Sequence, residues 1–97
     1  MTRPNTPLCA AERDFIRHAL GLTRQKVGYR NHYAAGGDDV AIGRALVARG
    51  FAVELSASRI RPEVRFAITH AGFEAAKKPG ESMDAEELAA MRAREMA

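Results

Sequence analysis

Residues 63–68 read Glu63-Val64-Arg65-Phe66-Ala67-Ile68, with a large apolar side chain at every second position. Period two places Val64, Phe66 and Ile68 on one face of a strand and Glu63, Arg65 and Ala67 on the other. Residues 51–55 repeat the pattern, Phe51, Val53 and Leu55 alternating with Ala52 and Glu54. Two such runs, joined by a turn over 56–62 with Arg59 and Arg61 near its tip, predict a half-buried antiparallel pair. Ahead of them, residues 38–50 have helical spacing, with Ile42 and Leu46 four apart and Ala45 beside them. Asp38 and Asp39 sit where a helix N-terminus favours negative charge, and Gly50 sits where a left-handed stop is wanted. Behind them, Thr69 is the expected N-cap of a helix over 70–78 that Lys77 and Lys78 help to close.

The N-terminal part supplies a second helix. Over residues 9–20, Phe15 and Ala19 lie four apart, as do Ile16 and Leu20, and Gly21 can end the run. Glu12, Asp14 and Arg17 take its outer positions. This helix should pack on the one at 39–49, since neither can bury its stripe alone. Residues 22–37 have poor periodicity and read as an irregular connection, with one helical turn at 29–34 and a Gly36-Gly37 loop. Beyond a break at 77–80, Ser82 can cap a last helix over 83–94 whose apolar stripe is thin, Leu88 and Met91. The expected organisation is a flexible lead-in (1–8), one domain (9–78) and an acidic C-terminal helix or tail (79–97).

At 97 residues and 46% apolar, the chain supports one domain with a modest core and is not wholly disordered. No apolar run approaches the roughly 18 residues a membrane span needs, and residues 1–7 have no signal-peptide apolar region. With a single Cys9, no internal disulfide is available, so a cytoplasmic, reducing setting is expected. Cys9 and the scattered His18, His32 and His70 have no zinc spacing, and no metal site is expected. Charge is unevenly spread. Residues 1–80 hold thirteen Lys/Arg against seven Asp/Glu, whereas residues 81–97 hold two against five. A basic body suits an anionic partner.

The run of helix, Gly50-Phe51, strand, basic turn, strand and Thr69-His70-Ala71-Gly72 resembles the second half of a winged-helix domain, over residues 39–76. The resemblance implies an α+β winged-helix-like fold, three to four helices with a two-stranded antiparallel β-hairpin. Arg17-His18-Ala19-Leu20-Gly21-Leu22 and Gly28-Tyr29-Arg30-Asn31-His32-Tyr33, taken with Thr69 and Gly72, also resemble a group of small phage and prophage proteins, which implies a genomic origin more than an activity. One departure matters. Winged-helix regulators set a short helix before a recognition helix that opens on DNA-facing polar or basic residues. Here the segment before the helix has a weak helix signal, and the helix opens on two aspartates that would repel phosphates.

The most site-like stretch lies in residues 22–37, which hold Arg24, Lys26, Arg30 and both tyrosines but no acid. Arg24, Lys26 and Arg30 could meet phosphates, Tyr29 and Tyr33 could stack on bases, and Asn31 could read a base edge. The same groups suit a protein interface, where Tyr and Arg are enriched. Equally, the tyrosines could fill core and Asn31 or His32 could bond loop backbone. Arg59 and Arg61, with Arg65, form a basic wing that could touch DNA or pair with Glu54 and Glu63. His18 and His70 suggest no chemistry, and no nucleophile–base pair, paired-carboxylate site or glycine-rich phosphate loop has a useful spacing. The expectation is a small non-enzymatic phage-type nucleic-acid-associated module, DNA-binding or regulatory, without cofactors. The alternative is a protein-binding module that inhibits a bacterial host protein or defence complex, in the manner of an anti-CRISPR. A third is a homodimer held by the first and last helices.

Overall fold

A computed structural model describes residues 7–55 and 63–96. In chain order the elements are α1 (Ala10–Leu20), β1 (Val27–Gly28), β2 (Tyr33–Ala35), α2 (Asp38–Ala48), β3 (Ala52–Glu54), β4 (Val64–Ile68), α3 (His70–Ala76), β5 (Ser82–Met83) and α4 (Ala85–Met96). The class is α+β, as the patterning implies, but the sheet is larger than a hairpin. β4 is central in a three-stranded antiparallel sheet of order β2-β4-β3. The helical turn expected at 29–34 does not form. Tyr33, Ala34 and Ala35 pair instead with Phe66, Arg65 and Val64, so the exposed edge of β4 recruits the connection as a strand.

Register decides which side chains enter the core. Ala52 lies opposite Ile68, Val53 opposite Ala67 and Glu54 opposite Phe66. Directly opposed residues share a face, so the face with Phe66 and Ile68 receives Ala52 from β3. Val53 points to the other side. Val53 of the first triplet therefore faces away from Phe66 and Ile68, because β3 pairs one residue out of phase with its own apolar pattern, while Phe51, just ahead of β3, still packs against the core. Phe66, Ile68, Leu46, Ile16 and Leu20 are wholly buried on the α1–α2 side, and Gly43 of α2 lies against the Phe66 ring. α1 and α2 pack together as expected.

Two segments that read as appendages belong to the core. Leu8, placed in the lead-in, is buried, as are Met83 and Met91 from the segment set apart as an acidic tail. Ser82 is not a cap. It lies in β5, which runs parallel to β1 with Val27 opposite Ser82 and Gly28 opposite Met83. Asp84 caps α4 in its place, its Oδ2 accepting from Glu86 N–H at 3.1 Å. Arg17 is likewise not an outer residue. The residue is 9% exposed, and its guanidinium grips the Glu81 carboxylate with both terminal nitrogens and donates to Leu22 O at 3.0 Å. Glu81 also accepts from Lys78 N–H at 2.7 Å. The Arg17 hydrogen bonds, despite opposition from burial, hold the Glu81 carboxyl below the usual range and push the guanidinium up.

Thr69 joins the end of α2 to the start of α3. Its Oγ1 donates to Gly50 O at 2.7 Å and accepts from Gly72 N–H at 3.1 Å, while its N–H donates to Phe51 O at 3.1 Å. The helix it caps ends at Ala76, short of the expected 78, because Lys77 is extended. A Cβ on Gly72 would sit 2.2 Å from Phe51 O, so only glycine lets α3 approach this carbonyl. Gly72→Ala is expected to cost about 2–3 kcal/mol, since the obstacle is backbone. An unfolding midpoint in urea unchanged from wild type would refute that contact.

Glu81→Gln is expected to cost about 2–3 kcal/mol at pH 7, by leaving Arg17 without its counter-charge. The sign of the pH dependence follows from the lowered carboxyl. Its stabilisation is complete above the unfolded value near 4.5 and is lost as pH falls through the lower folded value. Urea titrations from pH 7 to pH 3 should therefore show the gap between wild type and Glu81→Gln narrowing below about pH 4.5.

Candidate functional site

The last turn of α1 exposes carbonyls that no further helical turn can satisfy. The segment after it supplies their donors. Gly21, in the left-handed conformation at φ 77°, gives its N–H to His18 O at 3.2 Å, and Leu22 N–H reaches Arg17 O at 2.9 Å. This is a Schellman closure. The chain then turns back, so that Tyr29 N–H meets Leu20 O at 3.1 Å and His32 N–H meets Ala19 O at 3.2 Å. Arg30 completes the set from its side chain, donating to His18 O at 2.8 Å and placing a cation at the negative end of the helix. An aperiodic stretch is thus pinned residue by residue onto one helix end.

Arg24, Tyr29 and Arg30 of the expected site residues come together there. Tyr29 is 54% exposed and lies along Gly21, where a Cβ would run into the ring. The Arg30 guanidinium stands over the Tyr29 ring, 5.4 Å from its centroid. With Arg24, Gln25 and Thr23 they wall a cleft of about 640 Å³ that His18 closes from α1. Two smaller clefts adjoin at His18. One of about 250 Å³ lies between Arg30, His32 and Tyr33, and one of about 340 Å³ runs between Asp14, Tyr33 and Asp39. Arg24 and Lys26 are exposed and make no ion pair among the described residues.

Asn31 and Tyr33 are engaged within the fold. The Asn31 amide donates to Ile68 O at 2.8 Å and accepts from Ile68 N–H at 2.6 Å, extending the β2–β4 ladder with a side chain. Tyr33 donates its hydroxyl to Asp39 Oδ2 at 2.8 Å, and its ring packs 4.5 Å from Phe15 and 5.1 Å from His18. The hydrogen bond to Asp39, with burial and the carboxylate charge behind it, pushes the phenol up. Asp39 is thereby tied to Tyr33 rather than left free at the start of α2.

Arg59 and Arg61 lie outside the described residues. Their neighbour Arg65 is exposed and directly opposite Ala34, which lines the smallest cleft, so a hairpin cation stands at the rim of the loop's surface. Glu54 pairs with Arg44 at 3.3 Å. His18 is the residue that sequence reasoning passed over. Helical spacing places it on the last turn of α1, but only the folded-back connection makes that turn the floor of three clefts. Among the described residues, no three His, Cys, Asp or Glu side chains are grouped to hold a metal ion, and no helix is long and apolar enough to cross a membrane.

Comparisons of the chain with family models, curated proteins and solved structures find no match. Asn31→Ala should leave both polar groups of Ile68 without their partner and cost about 2 kcal/mol. Hydrogen exchange at Ile68 tests this directly, since protection there should fall even where the rest of β4 stays protected.

Proposed function

We propose that this chain is a small non-enzymatic nucleic-acid-associated module of winged-helix-like, phage or prophage type. The observation that carries the reading is the cleft at the end of α1, where Arg24, Arg30, Tyr29 and His18 meet with no acid on its wall. Arg24, Lys26 and Arg30 supply phosphate contacts, with Arg65 at the rim; Arg59 and Arg61, outside the described residues, remain candidates by sequence alone. α2 feeding the β3–β4 hairpin, followed by the Thr69-capped α3, supports the winged-helix-like reading. The helix that regulators place ahead of the recognition helix has no counterpart in 22–37, which holds β1 and β2. α2 opens on Asp38 and Asp39, and Arg44 is paired with Glu54. Contact therefore runs through the connection after α1, not through a helix laid in the major groove.

One observation favours a protein partner instead. Val27 and Tyr29 are the exposed large apolar side chains among the described residues, at 45% and 54%, and they neighbour Arg30. An aliphatic side chain offers little to a polynucleotide, while Tyr and Arg beside it are a common interface core. On that reading the module occupies a bacterial host protein or defence complex.

A salt titration separates the two. Binding of labelled DNA through three cations should fall with salt along a log–log slope of about −2 to −3, and Arg24→Ala should lower the slope by about one. No binding at low salt, together with one stoichiometric protein recovered from nuclease-treated lysate, would replace the first reading with the second.

A further inference from the structure

We infer that the cleft takes an unpaired base, so that the ligand is single-stranded nucleic acid rather than duplex; this rests on the nucleic-acid reading above. Tyr29 and Arg30 already form the start of a stack, ring and guanidinium 5.4 Å apart, held in place by Tyr29 N–H on Leu20 O and by Arg30 on His18 O. More than half of Tyr29 remains open, on the wall of a concavity of about 640 Å³. That size lies within the roughly 300–1,000 Å³ typical of sites for small organic groups. A base inside a duplex is covered on both faces by its neighbours and cannot reach a ring set in a concave wall. A base in a single strand can leave its neighbours and continue the stack at the open side of Tyr29.

The cations have the matching layout. Arg24 and Lys26 lead toward Tyr29 along an irregular segment, as a track for a flexible backbone, and not along a helix face that could follow a groove. Arg30 uses one terminal nitrogen on His18 O, and its Nε is buried, so the guanidinium is fixed over the Tyr29 ring. It is therefore placed to hold the stack and to keep a positive charge beside it.

The test uses the full chain with labelled oligo(dT) and a duplex of equal length at low salt. Oligo(dT) should bind at least tenfold tighter than the duplex. Tyr29→Ala should lose about tenfold on the single strand, the loss of one stacked base, with duplex affinity unchanged. Tyr29→Phe, which keeps the aromatic face, should retain wild-type affinity, and Tyr29→Leu, which keeps the packing on Gly21, should behave as Tyr29→Ala. The chain has two tyrosines and no tryptophan, so tyrosine emission offers a direct readout. Oligo(dT) should quench it in wild type and not in Tyr29→Phe. Equal affinity for both oligonucleotides, indifferent to Tyr29→Leu, would overturn the single-strand inference and leave the nucleic-acid reading standing. Absence of binding to either would overturn both.

Discussion

The carbonyls at the end of α1 set the terms for the rest of the molecule. A helix that stops inside a protein must find donors for its last turn or leave polar atoms buried without partners. Here Arg17, His18, Ala19 and Leu20 find them in Gly21, Leu22, Tyr29, Arg30 and His32. The cost of unmet carbonyls is what folds residues 21–32 back on the helix. Because donors are supplied at 29, 30 and 32, the side chains between and beside them are held at fixed positions. The cleft is a by-product of this closure, lined by side chains that the capping leaves facing outward.

The same helix turn anchors the far end of the chain. Arg17 reaches Glu81 while its own carbonyl accepts Leu22 N–H, so one residue links the α1 stop to the entry of β5. β5 then pairs with β1, and Ser82 N–H and Asp84 N–H close onto Lys26 O and Gly28 O at 2.9 and 2.8 Å. Residues 22–37 are therefore clamped from two sides, by α1 and by the C-terminal segment. Such a clamp gives a loop a defined shape without a core stripe of its own, which is the condition for a preorganised site.

Helix ends and strand pattern were legible because they depend on neighbours in sequence. Gly21 and Gly50 carry the expected left-handed φ, 77° and 79°, and Thr69 caps the helix that it was expected to cap. The structure departs from the local pattern where a distant partner decides. Arg17 is charged and at an outer spacing, yet a carboxylate sixty-four residues on makes its burial tolerable. Ser82 is a good cap by type, but β1 claims it for a ladder. Tyr33 alone of Tyr33, Ala34 and Ala35 favours a strand, and the three become one because β4 has a free edge beside them. The candidate site was legible in its composition, as Arg24, Lys26, Tyr29 and Arg30 without an acid. It was not legible in its geometry, which needed His18.

Sequence alone thus determined the local features: where α1 and α2 stop, that strands lie within 51–55 and 63–68, and that the cations of 22–37 have no neighbouring acid to neutralise them. These follow from backbone conformation and short-range charge, which a few adjacent residues specify. Only tertiary structure decided which face of β3 enters the core, that Asn31 serves Ile68 while Tyr29 stays open, and that the C-terminal segment is part of the domain. Each of those depends on hydrogen bonds and burial between residues far apart in the chain, and such pairings exist only once the whole core has closed.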